Sequence, residues 1–217
     1  MTALRRGFKT EANDIARQVR QELGLRLADP LDPLRLAEHL GIPVLPLTDF
    51  HRDVPDVVRH FTKVNRKEFS GVTVFRGPAR LIVFNDSHSD GRQASDLAHE
   101  LAHALLQHPP GPALDGSGCR DWDQELEEEA NWLAGALLVS DEAAIAVARS
   151  KMPIENAARK YGVSSKMMRF RLNVSGAHAR VQRAKWKKKN GSLSPALPGK
   201  NFIVTECMRY VVILRGM

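Results

Sequence analysis

The chain has almost no cysteine: Cys119 and Cys207 are the only two in 217 residues. Two thiols cannot build a disulfide framework, which excludes the small stapled secreted domains and points to a reduced, intracellular chain. Long apolar runs are missing too. The first ten residues, MTALRRGFKT, contain no apolar segment that would serve as a signal peptide. No stretch approaches the roughly 20 apolar residues that span a bilayer. Together these absences predict a cytoplasmic protein with no membrane partner. The rest is ordinary globular material, 43 % hydrophobic and 26 % charged. The length suits one domain with an appendage, or two small ones.

Acid is scarce in one segment only. Residues 149–189 carry 13 Lys/Arg and a single acid, Glu155, for a net of +12. Residues 1–148 carry 16 bases and 23 acids, a net of −7, and the remainder adds +2 to reach the overall +7. An acidic body is thus followed by a basic segment, which a nucleic acid or other acidic partner would meet first.

The most informative stretch is Leu97-Ala98-His99-Glu100-Leu101-Ala102-His103-Ala104-Leu105-Leu106. It is apolar, free of Gly and Pro, and reads His-Glu-x-x-His. On a helix His99 and His103 are one turn apart and point the same way. Two neutral imidazoles at that spacing can take two of the four positions around Zn2+, and Glu100 lies where a carboxylate can take a proton from metal-activated water. The plainer alternative is a surface helix that happens to carry these residues.

Around it the patterns alternate. Residues 11–23 read as a helix with Ile15, Ala16, Val19 and Leu23 on one face, ending at Gly24. Asp32-Pro33 starts a second helix, ending at Gly41. Residues 43–47 are a short strand candidate and 53–60 a short helix. Residues 71–76 and 80–84 alternate as strands joined by a turn at Gly77-Pro78, and 80–84 is read as an edge strand able to pair with substrate backbone. A polar loop follows, where Ser89 or Asp90 can cap the histidine helix. Pro109-Pro110 is expected to stop that helix, leaving residues 108–122 as a Gly/Pro-rich loop.

Residues 125–138 form the next helix pattern, with Leu126, Ala130, Leu133 and Leu137 in one stripe. Six acids lie between Asp121 and Glu129. A solvated first turn accounts for Asp121, Asp123, Glu125 and Glu128. Glu127 sits beside the apolar stripe, one turn before Asn131. It is the preferred third metal ligand, with Glu129 as the alternative and Asn131 as a residue that orients a ligand. Residues 154–173 have helix-turn-helix spacing: Ala158 at the crossing, Gly162 in the turn, Ser164 as cap, Met168 and Leu172 inward, and Lys166, Arg169 and Arg171 outward. A helical cap packed on the catalytic part is the preferred reading of these helices, with DNA contact the rival. Residues 190–200 read as a linker, and 202–205 with 210–214 as a strand pair of unknown role.

Three stretches together resemble the ImmA/IrrE family of bacterial metallo-endopeptidases. They are the helix pair ending in His39-Leu40-Gly41-Ile42-Pro43-Val44, then Arg80 to Asn85 leading through Arg92-Gln93 and Ser95-Asp96-Leu97 into His99-Glu100-Leu101-Ala102-His103, then Glu127 to Ala134. The likeness covers about residues 10–175. It departs after Leu137-Leu138, where the family usually has proline and this chain has Val139-Ser140. It implies metal ligands at His99, His103 and Glu127 and a catalytic glutamate at Glu100. It implies an α+β fold: a mostly helical, zincin-like core with a small sheet over 1–150, a helix-turn-helix-like segment over 151–189, and a tail over 190–217. It also implies a zinc-dependent endopeptidase whose protein substrate is a DNA-binding repressor, so that cleavage releases stress or mobile-element genes.

The rival from a different class is a DNA-binding regulator that uses residues 152–189, with a structural or vestigial metal site and weak nucleic-acid contact through 149–189. Three further residues are weighed. His108 and Tyr161 are possible oxyanion donors, each more simply structural. Cys119 is a loop thiol able in principle to block the metal's open position, and more simply an ordinary loop cysteine.

Overall fold

The apolar face read over residues 11–23 folds as helix α1 (Phe8–Glu22) in the computed structural model, which describes residues 4–77, 79–109 and 123–190. Phe8, Ala12, Ala16 and Val19 are buried along it, and so is Arg20. The Arg20 guanidinium donates to Ala16 O, Asp29 O and Leu137 O. Burial pushes its pKa down to about 10, so it stays charged at neutral pH. A cation that satisfies three carbonyls is tolerated inside because its donors are used. Helix α2 (Pro33–His39) starts as its residues dictate: the Asp32 carboxylate accepts from Leu34 N, and Pro33 fills the first turn.

Strand β1 (Val44–Pro46) runs into a 3₁₀ turn (Leu47–Arg52) and helix α3 (Pro55–Arg59), which continues as one π-helical turn (His60–Val64). Strands β2 (Gly71–Arg76) and β3 (Ala79–Phe84) form the expected antiparallel pair, with Thr73 opposite Ile82 and Val72 opposite Val83. β1 then pairs with β3 in parallel, Val44 to Ile82. The order is therefore β1-β3-β2, and β3 is the central strand. This corrects the reading of residues 80–84 as an edge: over Ile82–Phe84 both of that strand's hydrogen-bonding sides are taken. Buried Asn85 closes the strand, donating to Phe61 O and Phe69 O and accepting from Ser87.

Helix α4 (Asp90–Leu105) lies on the sheet with one flank and on α5 (Gln124–Leu138) with the other. Ser89 occupies its N-cap position without a side-chain capping bond. Its end is earlier than the proline pair suggests. Gln107 takes a left-handed conformation with φ 55, Gln107 N–H bonds Ala104 O, and His108 N–H bonds back to His103 O. This is a Schellman closure, and it folds His108 over the helix's last turn. Helices α1, α2 and α7 close in the same way on glycine, at Gly24, Gly41 and Gly162. In α5, Asp123 caps the first turn through Glu125 N and Leu126 N, while Ala130, Leu133 and Leu137 are fully buried.

Helices α6 (Asp141–Ser150), α7 (Ile154–Lys160), α8 (Ser165–Val174) and α9 (Ala177–Asn190) complete the described chain. Ala158 is buried, Gly162 has φ 62, and the Ser164 hydroxyl accepts from Met167 N. Met168 and Leu172 join the same buried cluster as Phe8, Leu101 and Leu133. Lys166 and Arg169 are exposed, but Arg171 is not. It turns inward, donating to Val139 O and pairing with Asp141, so it cannot serve as the phosphate contact read from sequence. The described residues are α+β: mostly helical, with one small mixed sheet. Among the described residues no single helix is long and apolar enough to cross a membrane. Cys119, Cys207 and the strand pair expected at 202–214 lie outside the described residues.

Candidate metal centre

Helix periodicity stacks His99 and His103 on the face of α4 that meets α5, and Glu127 enters from the first turn of α5. His99 Nε2 is 3.1 Å from Glu127 Oε2 and 3.1 Å from His103 Nε2, and His103 Nε2 is 3.4 Å from Glu127 Oε1. Each side chain is about one-fifth exposed, so the cluster lies in an opening between helices rather than in the core. Ligands about 2.0–2.1 Å from one tetrahedral ion lie about 3.3 Å from each other, so these separations suit a shared cation. Two imidazole nitrogens aimed at one carboxylate are the N,N,O donor set that borderline divalent metals take.

The electrostatics of the metal-free cluster agree. Burial acts against a charged Glu127, yet the hydrogen bonds and charges of His103 and His99 outweigh it and lower its pKa to about 2. Burial likewise acts against a charged His99. The Glu127 hydrogen bond, the charges of Glu100 and Glu127, and Asn131 together prevail, and its pKa is raised. Asn131 is thus beside the ring it was expected to influence, although His99 Nδ1 itself is buried without a hydrogen-bond partner of standard geometry.

Glu100 is half-buried on the sheet side of α4, where Thr73 Oγ1 donates to its Oε2 at 2.5 Å. Thr73 lies on β2, so the strand that approaches the site is the outer one. Gly71, on the same strand, lies where an added Cβ would be 3.8 Å from Glu100 Cγ. Sequence reasoning missed Thr73, because nothing local to a strand pattern tells which helix it will face.

Glu129, the alternative ligand, is held elsewhere. Its Oε1 accepts from Arg5 Nε at 2.7 Å, and its Oε2 is 3.6 Å from His108 Nε2. His108 in turn has Nδ1 2.9 Å from His103 Nδ1. Both its nitrogens are engaged away from the Nε2 side of His103, so His108 is not an oxyanion donor. Neither is Tyr161, which is buried with its hydroxyl donating to Ala28 O. Cys119 lies outside the described residues.

Comparison with known proteins adds one match. The model of the peptidase M78 family described as the IrrE N-terminal-like domain matches residues 37–173, a span containing all of His99, Glu100, His103 and Glu127. No curated protein matches the chain.

Proposed function

The chain belongs to the ImmA/IrrE family of metallopeptidases, and from that premise we propose that it is a zinc-dependent endopeptidase held by His99, His103 and Glu127, with Glu100 as its general base. The observation that carries this reading is the convergence of His99 Nε2, His103 Nε2 and the Glu127 carboxylate at 3.1–3.4 Å. Two imidazoles and one carboxylate are the ligand set of catalytic zinc sites that keep a position open. Zinc bound there would acidify water and polarise the scissile carbonyl. Glu100 takes the proton from the attacking water and returns it to the leaving amine. Thr73 holds one of its carboxylate oxygens meanwhile. Strand β2, the outer strand on this side of the sheet, offers its backbone edge to an extended substrate segment. The core is read as zincin-like and α7–α8 as helix-turn-helix-like.

Family likeness supports the substrate: a DNA-binding helix-turn-helix repressor, whose cleavage in the cytoplasm releases stress or mobile-element genes. The test is incubation of the full chain with the repressor encoded beside its gene. Cleavage is expected with zinc, is lost on chelation, and is lost in Glu100→Gln although that variant still binds zinc. Normal cleavage by Glu100→Gln overturns the assignment of the base.

A second reading rests on α9. Arg183, Lys185, Lys187 and Lys188 are exposed along it, and Trp186 is 65 % exposed among them. Such a face binds polyanions, either as a regulator's own contact or as a guide that brings the peptidase to a DNA-bound substrate.

A further inference from the structure

Two histidines outside the metal ligands are buried among the described residues: His88 is taken up by Arg66 O and Asp96, and His108 is left without a role. His108 is 7 % exposed, close-packed between His103 on one side and Glu129 on the other, and Glu129 is 8 % exposed. We propose that His108 and Glu129, anchored by Arg5, are positioning residues that fix the tautomer and ring orientation of His103 for metal capture. The inference rests on the metal-centre reading above and adds a second layer to it.

Donor and acceptor bookkeeping gives the network a single consistent arrangement. A neutral imidazole that offers Nε2 to a cation carries its proton on Nδ1. His103 therefore donates from Nδ1, and its partner at 2.9 Å, His108 Nδ1, must accept. The one proton of neutral His108 is then on Nε2, directed at Glu129 Oε2, an oxygen that only accepts. Glu129 ends the chain on Arg5 Nε, which only donates. If His108 carried its proton on Nδ1 instead, two N–H groups would face each other at 2.9 Å. The tautomer of His103 that can bind a metal through Nε2 is thus the one its neighbours select. Ligating histidines generally give their second N–H to such a partner.

The backbone explains why His108 is there. In a Schellman closure, the third residue from the helix end and the second beyond its cap come into side-chain contact, usually as an apolar pair. Here those positions are His103 and His108. The final member comes from farther away: Arg5 precedes α1 and lies outside the matched residues 37–173. It also pairs with Glu11, which steadies the arm that reaches Glu129.

The experiment is a chelator-competition titration of the full chain with zinc, run beside thermal melts of the metal-free forms. His108→Leu removes the acceptor and should weaken zinc binding 10–100-fold, the usual cost of losing a ligand's supporting partner. His108→Asn keeps an amide oxygen near the former Nδ1 and should recover most of the loss. Glu129→Gln is nearly isosteric, yet its amide has one acceptor for two donors. It should weaken zinc binding without a matching drop in metal-free melting temperature, and it decides the matter if His108→Leu does not fold. Wild-type affinity in His108→Leu overturns the proposal. So does equal loss in His108→Asn, or losses that merely track the metal-free melts. Wild-type protein that takes up no zinc overturns the metal-centre reading itself, which separates the two failures.

Discussion

His99 and Glu127 make the metal compete with protons. Glu127 is held ionised across the neutral range, its pKa lowered to about 2, and the pKa of His99 is raised because Glu127 and Glu100 outweigh the cost of burying its charge. A ring with a raised pKa stabilises the metal-free fold fully below its unfolded value, and that contribution disappears as pH rises through the folded one. Metal binding runs the other way, because the proton must leave before the ligand bond forms. The gap in melting temperature between zinc-loaded and metal-free protein should therefore widen from about pH 6 to about pH 8, the window in which histidine titrates. Paired thermal melts across that range check it, and a flat or narrowing gap would contradict the ligand set. Which acid completes the site was the least legible point in the sequence. Glu127 and Glu129 are two positions apart on one helix and so face different ways. The structure uses both around His103: Glu127 stands on its Nε2 side, and Glu129 reaches its Nδ1 side only through His108.

Among the elements, α4 is fixed at its start as well as along its length. Gly91 is in its first turn, and a Cβ there would stand 3.1 Å from Val163 C and 3.2 Å from Ser164 N, both backbone atoms of the α7–α8 turn. Gly91→Ala should push these apart and cost about 1–3 kcal/mol, the usual range for overpacking. Chemical denaturation of the metal-free protein measures it; an unchanged midpoint would mean that the turn yields freely. Local chemistry made much of this architecture readable. The Asp32-Pro33 start, the Ser164 cap and the i, i+4 histidines all act within one helical turn. Three features were not readable. Strand order depends on partners far along the chain, so nothing within residues 80–84 shows that β1 will cover the side left open by β2. Arg171 looks exposed by helical spacing, but the carbonyl at Val139 draws it inward. The return of His108 needs a non-glycine residue, Gln107, in a left-handed conformation, an option that sequence reasoning discounts because of its steric cost.

On the scale of the molecule, a continuous buried cluster joins α1 to α9, from Phe8 to Ala177. Charge is segregated while the core is shared: the +12 of residues 149–189 stands against the −7 before it. If α9 meets DNA, retention should fall steeply with salt, and charge reversal at Lys187 and Lys188 should flatten that slope. Filter binding at several ionic strengths reads it, and no retention at low salt removes the nucleic-acid role while leaving the peptidase reading intact. Helix α1 has a practical bearing on how such a protein can be dissected. Its buried face covers α5, and Arg5, three residues ahead of its start, holds the carboxylate that stands behind the His103 ring through His108. A catalytic fragment excised to begin at residue 37 would bare the greasy flank of the helix that carries Glu127 and strip Glu129 of its counter-ion. Trimming to the shared domain would thus damage the centre it was meant to isolate.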